Sequence, residues 1–148
     1  MMGNNLNELR QIIGELAIAQ KQTQKQLGEL GNKLGSFAEG LTYPTVERIM
    51  LEEFHLDTVG PVRSRKGNET LEIDALGYAN GSINTIMVGE IKSHFREHHV
   101  EQVEQACRRL FDFMPEHRGK KVYGMVIFVK GEQNAINLAA KHGIYTVE

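Results

Sequence analysis

The segment that most restricts the fold is "KVYGMVIFVK", Lys121 to Lys130. Successive side chains of a strand point to opposite faces, and here both sets are apolar. Such a strand belongs inside a sheet covered on both sides, not at an edge. The chain around it switches between strand and helix periods. "TYPTVERIMLEEF" reads as a helix with Thr42 or Tyr43 near its cap and Pro44 in the first turn. "TLEIDALGY" and "SINTIMVGEIK" read as strands joined around Asn80–Gly81. "HVEQVEQACRRLFDFM" carries Val100, Val103, Cys107, Leu110, Phe111 and Met114 on one helical face. "EQNAINLAAKHG" is a short helix closed by Gly143, and "IYTVE" a last strand. If residues 55–66 supply a first strand, the order is α-β-β-β-α-β-α-β. The expected class is α/β, a mixed sheet with helices on both faces.

The amino-terminal block follows a different rule. Leu6, Ile13, Gln20, Leu27 and Leu34 share one heptad position, and Leu9, Leu16, Thr23, Leu30 and Phe37 share another. This spacing predicts a long coiled-coil helix over residues 1–37 that joins chains into a homo-oligomer through residues 6–37. Glycines at 14, 28, 31 and 35 weaken the helix. Gln20 and Thr23 form a polar layer of the kind that sets register. Residues 38–148 would then form the folded domain.

No apolar run reaches the roughly 18 residues that span a bilayer, and "MMGNNLNELR" has no apolar signal segment. No membrane partner is expected. The single Cys107 fits a reducing cytoplasm and a packing role. The net charge of −2 is not that of a protein coating nucleic acid through bulk charge. Arg63, Arg65 and Lys66, and the set Arg108, Arg109, Arg118, Lys120 and Lys121, read as solvated charge.

Against this background "MVGEIKS" stands out. Glu90 and Lys92 share a face within an otherwise apolar strand, and buried charges are costly unless paired or bound. Asp74 lies on the strand before. Two hard carboxylates a few ångströms apart suit Mg²⁺ or Mn²⁺, and a nearby lysine can orient water or stabilise charge on a phosphate in transit. A plain carboxylate–lysine ion pair would explain the same spacing. The hairpin decides between the two. A two-residue Asn80–Gly81 turn pairs Asp74 with Met87, on the wrong face. A three-residue loop restores the face but leaves Asp74 roughly 13 Å out of step with Glu90. A loop shifted to Asn80–Ser82, or a bulge near Gly77, brings them to about 7 Å. This last arrangement is the one expected.

The run Glu72-Ile73-Asp74, a hairpin, then Val88-Gly89-Glu90-Ile91-Lys92-Ser93-His94 resembles the core motif of the PD-(D/E)XK nuclease superfamily. It looks closest to prokaryotic members with a heptad-rich amino-terminal helix. The resemblance runs from about residue 27 to the end. It implies a restriction-endonuclease-like core, with Asp74, Glu90 and the main-chain carbonyl of Ile91 on the metal and Lys92 as the catalytic lysine. It implies a further helix glutamate, for which Glu39 is the better match and Glu47 the second. It also implies a helix glutamine, for which Gln102 and Gln105 are placed. Ile73 stands where the nominal motif has proline.

Other features carry less. His94 and His98 are four apart, with His99 adjacent, but no glutamate or cysteine completes a zinc motif. His94 falls before helical geometry begins. Gly131 lacks a phosphate-loop context, and Tyr123 and Phe128 read as core. The leading expectation is a Mg²⁺-dependent nuclease acting on DNA. The alternative is a non-catalytic module of nuclease-like fold that binds nucleic acid or a protein and is oligomerised by its coiled coil.

Overall fold

The structure, a computed structural model, describes residues 10–19 and 42–148. The chain divides into two units, Met1–Ser36 and Phe37–Glu148. In the first, residues 10–19 are helical, and Ile13, Leu16 and Ile18 are 58%, 63% and 60% exposed. The remainder of the expected coiled-coil helix lies outside the described residues, as does Glu39.

The second unit is built on a five-stranded mixed sheet. Helix α1 covers residues 42–53; its last turn, Ile49–Glu53, is π-helical. The strands are β1 (Thr58–Lys66), β2 (Glu69–Ala79), β3 (Thr85–Phe95), β4 (Lys121–Gly131) and β5 (Tyr145–Val147). Helix α2 (Glu97–Phe113) joins β3 to β4, and α3 (Gln133–Lys141) joins β4 to β5. The strand order is β1-β2-β3-β4-β5. β1, β2 and β3 are antiparallel neighbours; β3, β4 and β5 run parallel, as their helical crossovers require. β4 is interior, as its two apolar faces demand. Residues 55–66 do supply the first strand.

Alternation sorts the core. On one face Ala75, Met87, Ile91, Met125 and Ile127 pack under α1 against Val46, Ile49 and Met50. On the other, Leu76, Ile86 and Val88 meet Ala106 and Leu110 of α2, while Val126 and Phe128 meet Val100, Val103 and the buried alanines of α3. Met50 rests where β2 and β3 have no side chains. A Cβ on Gly77 would lie 2.7 Å from Met50 Sδ; one on Gly89 would lie 2.8 Å from Met50 Cε and 3.0 Å from the Ala75 carbonyl. Gly89→Ala is therefore expected to overpack this contact and cost about 1–3 kcal/mol. A lower denaturation midpoint with an unchanged slope in urea would show it.

The hairpin departs from every loop considered above. The β2–β3 ladder runs from Ala79↔Thr85 to Ala75↔Gly89, so the loop is the five residues 80–84. Gly81 (φ 68°) and Asn84 (φ 43°) both take left-handed conformations. The far end is fixed from outside the hairpin. Lys121 N–H donates to the Asn84 carbonyl at 2.9 Å, and Asn84 Nδ2 donates to the Gly119 carbonyl at 3.1 Å. The bulge is also not at Gly77. The β1–β2 register passes from Gly60↔Leu76 to Val62↔Ile73, so Asp74 and Ala75 together oppose Pro61. A proline has no N–H to give a ladder and sits well at such an irregularity on an edge strand.

Candidate active site

Register places Asp74 and Glu90 as the next pair in line beyond Ala75↔Gly89, closer in step than the offset of about two residues expected from the sequence. The ladder stops there. β2 continues with β1 as far as Glu69↔Lys66, and β3 continues with β4 as far as Phe95↔Gly131. The two strands thus part company at the carboxylates. The bulge at Asp74–Ala75 turns β2, and the Asp74 side chain replaces a ladder carbonyl: its Oδ2 accepts from Ile91 N–H at 2.9 Å.

Two clefts flank this fork. One, of about 390 Å³, is lined by Tyr43, Pro61, Val62, Arg63, Glu72, Ile73, Asp74 and Ile91. The other, of about 250 Å³, is lined by Leu71, Glu72, Glu90, Gln102, Gln105, Ala106 and Arg109. Glu72 borders both, and Arg63 Nε meets Glu72 Oε1 at 3.1 Å. Glu90 and Lys92 follow Ile86 and Val88 on the face covered by α2, while Ile91 follows Met87 under α1. Asp74, between Ile73 of one face and Ala75 of the other, sits where β2 changes sides. Asp74, Glu90 and Lys92 are all half-buried.

The donors at the fork are hard oxygens: the carboxylates of Asp74 and Glu90, and the Ile91 carbonyl. That chemistry fits Mg²⁺ or Mn²⁺, and Mg²⁺ keeps several waters of its own. Among the described residues no three His, Cys, Asp or Glu side chains form a group able to hold a metal ion, and Asp74 and Glu90 line different clefts. Glu47, the second choice for a helix glutamate, borders a different hollow on α1 with Pro44, Arg48, Leu51 and Glu52.

Of the three histidines, His99 serves the start of α2. His94 lies in β3 and His98 in α2, so they do not share a helix. His99 Nδ1 accepts from Arg96 N–H at 2.9 Å, and His99 N–H donates to the Arg96 carbonyl at 3.0 Å. Burial first, then the charge of Lys92, pushes the His99 pKa down to about 4. The fold therefore holds this ring neutral, with Nδ1 free of a proton. Above pH about 6.5 both folded and unfolded rings are neutral. As pH falls from there to about 4 the unfolded chain binds a proton that the folded chain resists, and stability is lost. A His99→Asn variant is expected to lose less stability than wild type between pH 7 and 5, measured by urea denaturation. Parallel curves would contradict this.

Cys107 packs against two of the core clusters. Burial, followed by the Glu104 carboxylate, pushes its thiol up to about 11, leaving little thiolate at neutral pH. Tyr43, read only as a helix start, lines the Asp74 cleft, and burial raises its pKa, so the phenol stays a hydrogen-bond donor. Arg109, read as solvated charge, lines the Glu90 cleft.

A family model covers residues 48–148, from within α1 to the end of the sheet. The chain belongs to the DUF8196 family, a domain of unknown function. No curated protein matches the sequence. Among solved structures, the DUF8196 domain is similar to protein VC1899 from Vibrio cholerae, at 16% identity and a TM-score of 0.50 over 74% of this chain and 28% of that one. Lower likenesses are to a repair endonuclease from Pyrococcus abyssi (20% identity, TM-score 0.45, 70% of this chain and 44% of that one) and to EndoMS in a complex with double-stranded DNA (21%, 0.41, 69% and 41%). The chain spans less than half the length of each. At these identities what is shared with VC1899 is the fold. No helix among the described residues is long and apolar enough to cross a membrane.

Proposed function

We infer that this DUF8196 chain is a divalent-metal-dependent nuclease that hydrolyses phosphodiester bonds in DNA, on a restriction-endonuclease-like core. One observation carries the reading: the β2–β3 ladder ends one step before Asp74 and Glu90, and Asp74 closes the fork through the Ile91 amide. The site residues are Asp74, Glu90 and the Ile91 carbonyl for the metal, with Lys92 beside them and Glu39 as a further candidate ligand. Mg²⁺ or Mn²⁺ bound there would polarise the scissile phosphate and acidify the attacking water. The chain's own groups supply the rest. The Asp74 carboxylate is held by the bulge and by the Ile91 amide, and the Lys92 ammonium donates to the attacking water or to phosphate oxygens as charge builds on them. Residues 6–37 would pair chains and deliver two such sites together, which suits cutting both strands of a duplex. The exposed Ile13 and Leu16, at the two heptad positions, support that pairing.

A second reading, a non-catalytic module binding nucleic acid or a protein, is favoured by Asp74 Oδ2 being already engaged and by the lack of any group of three metal-ligating side chains among the described residues. Incubating the full chain with supercoiled and linear DNA in Mg²⁺ or Mn²⁺, beside an EDTA control, separates them. Metal-dependent nicking or shortening is expected. Intact DNA at every metal concentration would leave the module reading.

A further inference from the structure

The cleft that holds Glu90 contains a cation that the nuclease scheme above does not use. We propose that Arg109 is a phosphate-binding residue, its guanidinium contacting a backbone phosphate of the bound nucleic acid strand next to the one attacked. The proposal rests on the nuclease reading for the position of that strand.

The argument begins with helix spacing. Gln102, Gln105, Ala106 and Arg109 fall on one face of α2, and all four line the Glu90 cleft. Arg109 is the one cation among the described residues lining it. Unlike an exposed surface arginine, it is held at two points. Its Nη2 donates to the Thr70 carbonyl at 3.4 Å, and its guanidinium lies 5.1 Å from the centre of the Phe113 ring. Thr70 belongs to the part of β2 that has already left β3, so this bond ties α2 to one arm of the fork. A guanidinium offers five N–H donors in a planar array, and the Thr70 carbonyl occupies one edge. A half-buried guanidinium already fixed by a carbonyl and a ring loses little freedom when it binds, and its fork matches two phosphate oxygens. The cleft needs such a group. Glu90 lines it, and Glu72, paired with Arg63, borders it, so a cation offsets acidic charge that an incoming phosphodiester would meet, and Gln102 and Gln105 add donors without charge.

The test uses the full chain carrying Lys92→Ala, to prevent cleavage, and a fluorescein-labelled duplex oligonucleotide in Mg²⁺. Fluorescence anisotropy gives Kd across a series of KCl concentrations. Each phosphate contact contributes about 0.9 to the slope of log K against log salt on duplex DNA. Adding Arg109→Gln is expected to lower that slope by about 0.9. Arg109→Lys is expected to keep the slope but raise Kd at least about threefold, because the charge stays and the fork is lost. An unchanged slope in Arg109→Gln overturns the proposal. If that variant does not fold, an unchanged Kd in Arg109→Lys overturns it instead. A Lys92→Ala parent that binds no DNA removes the nuclease reading and this proposal together; a parent that binds with a slope indifferent to Arg109 removes this proposal alone.

Discussion

Lys92→Ala is expected to reduce DNA cleavage by a factor of about 100–1,000, the scale seen when one donor to a developing charge is removed. The side chain sits on β3, opposite Phe128 of β4 in a parallel ladder that continues to Phe95↔Gly131. β4 alone holds the backbone there, β2 having parted from β3 beyond Gly89, so truncating this side chain leaves the β3–β4 ladder in place. Lys92 is half-buried, and its charge is felt at His99. The unfolding midpoint should therefore stay close to wild type, and DNA affinity should fall by no more than one phosphate contact allows. Single-turnover cleavage of supercoiled DNA in Mg²⁺ measures the effect. Equal cleavage by the variant would remove Lys92 from the chemistry and sink the enzyme assignment.

Asp74 has two jobs that two substitutions can separate. In the proposed function its carboxylate supplies negative charge for a cation; in the structure its Oδ2 accepts the Ile91 N–H where the ladder has ended. Asp74→Asn keeps an acceptor of the same shape and removes the charge. It is expected to abolish Mn²⁺ binding in calorimetry while leaving urea stability nearly unchanged. Asp74→Ala also orphans a half-buried amide, which costs about 1–3 kcal/mol, so it should lose both metal binding and stability. Mn²⁺ binding that survives Asp74→Asn would make the carboxylate structural, a strut across the fork rather than a ligand.

Much of the architecture is legible without coordinates because it rests on periodicity. Two apolar faces on "VYGMVIFV" can be buried only inside a covered sheet, and β4 is interior with helices over both faces. The apolar stripe of α2 and the Gly143 closure after α3 are local signals of the same kind. The pairing of Glu90 with Lys92 on one face is likewise simple parity. The position of Asp74 relative to them is not. Asn80–Gly81 is by itself a strong two-residue turn, and that preference is overruled by bonds that the hairpin does not contain.

The sequence by itself therefore determined the element order, the interior strand, and which charged residues share a face, since each follows from the geometry of one segment. Pro61, a residue that cannot donate to a ladder, is a further local signal, for it stands opposite the bulge that turns Asp74. Only the tertiary structure decided the register. The Asn84 carbonyl is claimed by Lys121, at the start of a strand 37 residues on, and this lengthens the loop to five residues and carries Asp74 level with Glu90. The physical reason is that a hairpin's register is a sum over both of its ends. When β3 must also meet β4, the cheaper local turn gives way to the arrangement that satisfies backbone groups on both sides of the strand.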